Sequence, residues 1–434
     1  MKKMLRTIAL ACCGAMVLSL CSCAGKGTLL READAATPLS YTERDDASFA
    51  AVTAGAQQFS TAFAAAMYER REETQNFVLS PVSVYAGLSL AAACAQGETK
   101  AQLLSALGVT EQQLSAGFAP FYRSLTADGK DDTGKQRTKL HLANAIYVNE
   151  GTQVNDSCLD TLASDYYCYS YAADFAGDNR AANEAVRNFV SEQTDGLIDQ
   201  SFMLSEETIF ALINALYLKD VWNGDGDDLP TAGDYVFTDR YGNGVTVPFL
   251  RGYSVAGRAY EGETFTSFHA DTYAGYKIKF LLPKEGYTVD DVMTAEVLSE
   301  LAAVTDYAAV NEEKLERYYT RCIFPAFSAS SNVDAMAVLS ETFGVTDLFS
   351  PTKSDLTALT DDGAFCTGVR HVATLTVDET GIEGAAATVL PAAGDPGPDE
   401  YEDVYLDFIV DRAFGFLLTD RYDTVLFAGA IETV

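Results

Sequence analysis

Residues 371–403 read HVATLTVDETGIEGAAATVLPAAGDPGPDEYED, and the fold turns on this stretch. Residues 374–377 form a short apolar alternation expected of a strand. The composition then changes: Gly384-Ala385-Ala386-Ala387-Thr388 is built of small residues, and Pro396-Gly397-Pro398-Asp399-Glu400-Tyr401-Glu402-Asp403 of turn formers and acids. No packed core can be made from it, so residues 381–403 are expected as a long exposed loop running to a closing strand at 404–410. Strand side chains alternate between faces. If residues 382–394 entered a sheet, one face would carry Ile382, Gly384, Ala386, Thr388, Leu390, Ala392 and Gly394, none of them charged, and Glu383 would fall on the other. The loop can therefore insert without burying a charge. A plain Ala/Gly linker, the competing reading, needs no such alternation.

Upstream, residues 49–71 carry Phe59, Phe63 and Met67 at helical spacing, and Ser80-Pro81 supplies a cap and an accepted first-turn proline for a second helix. Apolar or alternating runs at 140–148, 209–218 and 276–282 read as strands, as does 424–430 near the C-terminus. Helices dominate early and strands late, with no internal repeat, which gives an α+β class.

Several separated blocks then resemble the serpin family, in order and over essentially everything from about residue 50 onward. They are Asn76-Phe77-Val78-Leu79-Ser80-Pro81-Val82-Ser83 with Gln96-Gly97-Glu98-Thr99, Ala143-Asn144-Ala145-Ile146-Tyr147-Val148, Asn188-Phe189-Val190 with Thr194-Asp195-Gly196-Leu197-Ile198, and Asn214-Ala215-Leu216-Tyr217-Leu218-Lys219 with Trp222. Phe324-Pro325-Ala326-Phe327, Gly344-Val345-Thr346-Asp347-Leu348-Phe349, residues 371–388 and Leu426-Phe427-Ala428-Gly429 complete the series. The resemblance implies a serpin fold: three mostly antiparallel or mixed β-sheets, about eight to nine helices, and an exposed reactive-centre loop. It implies an inhibitor of serine or cysteine proteases that traps the acyl-enzyme when its cleaved loop inserts into the central sheet, with a non-inhibitory surface binding protein as the alternative. The implied hinge is Glu379, Gly381, Ile382, Glu383, Gly384, Ala385, Ala386, Ala387 and Thr388. Ser80, Ser83, Asn214 and His371 match the polar cluster under the sheet opening, and Trp222 the residue at its top. Counting seventeen residues from Glu379 places the scissile bond at Asp395-Pro396.

At the N-terminus, Lys2, Lys3 and Arg6 precede an apolar run at residues 8–20, which reads as an export signal. Leu20-Cys21-Ser22-Cys23 resembles a lipobox of bacterial lipoproteins. The expected organisation is thus residues 1–22 signal peptide, 23–46 flexible tether and 47–434 serpin domain, lipidated at Cys23 and held outside the cell, anchored or shed. An ordinary secretory peptide is the competing reading.

With 62 acidic against 30 basic residues the formal charge is −32, which speaks against nucleic acid as a partner. The expected partner is a protease, the membrane being met only through the lipid, and the chain a monomer. No metal or other cofactor is expected: Cys94, Cys158, Cys168, Cys322 and Cys366 have no ligand spacing, and they read as scattered buried thiols or as a Cys158–Cys168 pair. His141, His269 and His371 could serve as bases, but no Gly-x-Ser-x-Gly elbow or zinc-type His-Glu pair accompanies them, so an enzyme is not expected.

Overall fold

The computed structural model describes residues 25–71, 76–130, 135–200, 202–222, 228–383 and 401–434. The largest sheet holds β1 (Thr28–Arg31), β2 (Ala127–Lys130), β3 (Gln136–Asn149), β4 (Cys168–Ala173), β5 (Phe210–Val221), β6 (Phe327–Asp334), β7 (Arg370–Val377) and β8 (Gly381–Glu383). Their order is β1-β4-β3-β5-β8-β7-β6, with β2 on β3. β3 and β5 form its longest ladder, from Thr138 opposite Asp220 to Val148 opposite Phe210. A second sheet orders Phe77–Leu79, Val425–Ile431, Phe414–Thr419, Lys277–Pro283, Phe265–Asp271 and Tyr260–Glu261. The third is built on Glu316–Pro325, which pairs antiparallel with Gly244–Ala256 and parallel with Glu402–Ile409. Among the described residues there are ten α-helical segments; two are single turns, Tyr41–Arg44 and Val289–Val292, leaving eight longer ones.

The helices form where the patterns place them. Helix α1 (Ala47–Glu69) starts at Asp46, whose carboxylate accepts from the Ser48 and Phe49 amides, and buries Phe49, Val52, Ala56, Phe59, Phe63 and Met67 on one stripe. Helix α2 (Pro81–Cys94) has proline at its first position and is buried on nearly every side, which makes it a core helix wedged beneath the sheets. Helices α3 (Gly97–Leu107) and α4 (Asp156–Asp165) follow, and α5 (Asn179–Gln193) lays Val186, Phe189 and Val190 on the outer face of the large sheet against Tyr147 and Tyr171.

The N-terminal expectation needs correction. Residues 28–31, placed in a flexible tether, form edge strand β1 paired with β4, and Arg31 forms ion pairs with Asp156 and Asp160 of α4. Further on, Glu43 of the Tyr41–Arg44 turn ion-pairs with Arg123, whose guanidinium holds the Glu43 carboxyl down at about 2. An open sheet edge offers unpaired backbone groups, and Leu30 packs on the core beside it, so even a mainly polar segment docks there. Cys23 lies outside the described residues.

Candidate functional site: the parting line of the large sheet

Between β5 and β7 the large sheet contains only the three residues of β8. Gly381, Ile382 and Glu383 pair with Val221, Asp220 and Lys219 on one side, while Ile382 and Glu383 pair with Val377 and Thr376 on the other. Among the described residues no ladder joins β5 directly to β7. The alternation read from the sequence holds for the part of the loop that is described. Ile382 is buried, and Glu383 points outward to Lys219 Nζ at 2.9 Å and the Tyr217 hydroxyl at 3.2 Å. Gly384, Ala385, Ala386, Ala387, Thr388, Asp395 and Pro396 lie outside the described residues.

The upper end of the line is fixed by two buried groups. Trp222, 1% exposed, donates Nε1–H to the Asp378 carbonyl at 2.7 Å and packs on Phe324. Asp378 in turn accepts from the Thr380 amide at 2.8 Å and the Gly381 amide at 3.3 Å, which makes the sharp turn into β8. Glu379 is exposed on that turn, and its carbonyl accepts from the Leu229 amide at 2.7 Å. Gly381 is required by contact: a β-carbon there would meet the Asp220 carbonyl oxygen at 1.9 Å. The Asp220 carboxylate accepts from the Thr138 hydroxyl at 2.8 Å and from the Val221 and Ala274 amides at 3.1 Å, yet burial pushes its pKa up to about 7.

Lower down, His371 on β7 accepts the Ser80 amide at Nε2, 3.0 Å away, which leaves the ring proton on Nδ1. Burial lowers its pKa to about 4. Ser80 and His371 are thus joined through the Ser80 backbone, not its side chain, whose hydroxyl is buried without a partner among the described residues; Ser83 is buried in the first turn of α2. Asn214 is not part of that contact. Its amide donates to the side-chain oxygen of Asn144, directly opposite on β3; Asn144 donates onward to the Tyr166 carbonyl at 3.0 Å, and Asn214 Oδ1 is buried without a partner. The two halves of the expected cluster therefore face each other across the parting line instead of closing it. Sequence reading missed Asn144 and Asp220. A lone amide in the apolar run 143–148 was the available signal for the first; Asp220, next to Lys219, looks like a solvated strand end.

The remaining histidines do not build a catalytic site. His141 contacts Gln193 at 2.7 Å. Ser267, His269 and Asp271 share one strand face, with His269 Nδ1 2.6 Å from Asp271, but Ser267 is 0% and His269 4% exposed, so no substrate reaches them. The five described cysteines are buried free thiols.

Comparison with known proteins agrees with this geometry. A family model described as serpin (serine protease inhibitor) matches residues 54–433. The alpha-1-antiproteinase of Callosciurus caniceps is 26% identical over 387 residues, covering 83% of this chain and 84% of the relative. Among solved structures, a thermophilic serpin, tengpin, in its native state superposes with a TM-score of 0.70 at 22% identity, over 94% of this chain and 100% of that one. A thyroxine-binding globulin complex with thyroxine does so with a TM-score of 0.68 at 21% identity, over 88% and 98%.

Proposed function

The chain belongs to the serpin family, and from that premise we propose that it is an extracellular suicide-substrate inhibitor of serine or cysteine proteases, and not an enzyme. The observation that carries this reading is the wedge of β8 between β5 and β7, two strands that among the described residues have no ladder with each other. Sheet neighbours sit about 4.8 Å apart, so β8 holds β5 and β7 roughly two spacings apart at its level; at the foot of the line Phe210 of β5 bridges Cys366 ahead of β7, a contact that a fully inserted strand would part.

The register fixes what would go there. Continuing β8 downward sets residue 384 opposite Leu218 and Leu375, and Thr388 between Asn214 and His371. The partnerless Asn214 oxygen then faces an incoming backbone that carries donors. Gly384, which has no side chain, and Ala386, with a single methyl, would enter on the face where Ile382 is already buried. Pro391, which has no amide hydrogen, falls beyond the end of β7 and opposite Ala211, where its loss is confined to one side.

A target protease attacks a peptide bond in the loop, Asp395-Pro396 by the family count, and forms its own acyl-enzyme. Freed of its downstream half, the loop zips into the parting line before water completes hydrolysis. The protease, still esterified or thioesterified to the loop, is carried along the sheet and its active site distorted. Energy comes from the ladder and burial gained, so the uncleaved protein is metastable. A lipid on Cys23 would hold a monomeric trap at the outer membrane surface, where the target protease supplies the catalytic groups. The test is incubation of the chain with serine and cysteine proteases followed by denaturing gels and mass spectrometry of the cut. A complex stable to SDS, linked through a residue between 390 and 401, is expected. Clean cleavage with no complex for any protease would leave the non-inhibitory binding protein in its place.

A further inference from the structure

On the outer face of the large sheet Lys139 of β3 stands directly opposite Lys219 of β5. Like charges facing each other across two strands repel, and carboxylates from two distant parts of the chain answer them. Asp195, two residues beyond the end of α5, engages Lys139 at 2.6 Å, which leaves Lys219 to Glu383, the end of β8, at 2.9 Å. Tyr217 lies two residues along the same strand: its hydroxyl donates to the same Glu383 oxygen at 3.2 Å, and Lys139 Nζ stands 5.2 Å from its ring centre. We propose that Lys219 and Tyr217 are positioning residues for loop insertion: they seat Glu383 on β5, so that the first rungs of the inserting strand are closed before any protease cuts. This role rests on the trapping reading above; the seat itself does not.

The place of Glu383 in the sheet makes the seat matter. β8 is three residues long, and Glu383 is the end from which further pairing would run down β5 and β7, as its partners Lys219 and Thr376 show. The upper end of β8 is held by the buried Ile382 and by the Asp378 turn at Gly381; the lower end is secured by the side-chain contacts of Glu383. A residue that joins a sheet gives up backbone freedom, and this loss is offset only when its rungs close. With the first rungs already closed, insertion proceeds by extension as soon as the loop is cut. The interval between acylation and insertion decides whether water releases the protease, so a formed start favours the trap. Lys219 and Glu383 are both about half-exposed, which makes their effect modest and screened by salt.

The experiment uses the full chain. On the intact protein, hydrogen exchange of the peptide covering residues 378–383 reads the seat. After a single cut between residues 390 and 401 by a protease that is not trapped, the rise of heat resistance with time reads insertion. Lys219→Glu should raise exchange in that peptide and slow insertion about tenfold, and Tyr217→Phe should slow it about twofold. Swapping the charges, Lys219→Glu with Glu383→Lys, should restore both readouts, which a general loss of structure would not allow. If Lys219→Glu does not fold, Lys219→Gln carries the test with about threefold slowing. An unchanged insertion rate in the Lys219 variant, or a charge swap that restores neither readout, would overturn the proposal. A wild-type protein that gains no heat resistance after the cut would instead overturn the trapping reading and with it the role in insertion, and exchange alone would then judge the seat.

Discussion

Lowering the pH should loosen the lower end of the parting line through His371. In the fold its imidazole is neutral, accepts the Ser80 amide and has a pKa of about 4, against 6.5 for an unperturbed ring. A folded-state pKa below the unfolded one means stability that is complete above 6.5 and lost as pH falls through 4. The difference of roughly 2.5 units corresponds to about 3 kcal/mol, because protonation puts a second N–H against the Ser80 N–H in a buried site. Two other buried groups act in the opposite sense: Asp220 and Asp420 have pKa values raised to about 7 by burial, so the raw pH curve is composite. His371→Gln separates them, since its carboxamide oxygen can accept from Ser80 without titrating. Urea unfolding of both proteins from pH 7.5 to 4 should show the wild-type advantage over the variant shrinking by about 3 kcal/mol. Parallel curves would refute the reasoning.

Asp220→Asn should flatten the fall in wild-type stability between pH 4 and 7.5, because a raised carboxyl pKa contributes stability below 3.8 that is lost as pH rises through 7; melting midpoints across that range check it. Gly381→Val should expel β8, costing about 1–3 kcal/mol and slowing the gain in heat resistance after loop cleavage, as read by melting at intervals after nicking. Glu432, 1% exposed, bridges Arg71 at 2.6 Å and Arg240 at 2.7 Å. Glu432→Gln leaves those guanidinium groups short of a buried counter-charge and should cost about 3–5 kcal/mol in urea unfolding.

The start of the hinge was legible because alternation along one strand is local: Ile382 is buried and Glu383 outward, while residues 384–394 lie outside the described residues. Of the residues that the blocks singled out, Ser80 bonds to His371 and Trp222 to the Asp378 carbonyl, whereas Asn214 bonds to Asn144. What stayed hidden depends on partners distant in the chain. Asn144 became a site residue only because the β3–β5 register sets it opposite Asn214. Asp220 owes its burial to Thr138 and Ala274, and the ionic cluster of Arg71, Arg240, Asp290 and Glu432 joins residues up to 361 apart. Strand β1, Thr28-Leu29-Leu30-Arg31, was missed because the edge of β4 that pairs with it lies far along the chain. Of the two readings of the cysteines, scattered buried thiols is the one the structure shows: Cys94, Cys158, Cys168, Cys322 and Cys366 are all buried and free.

The most direct test of the account is the melting temperature of the chain before and after a single cut between residues 390 and 401, with both fragments retained. Insertion along β5 and β7 predicts that the cut protein melts well above the intact one, because the line below β8 has been filled. An unchanged or lower melting temperature would contradict the claim that this sheet is built to take in its own loop.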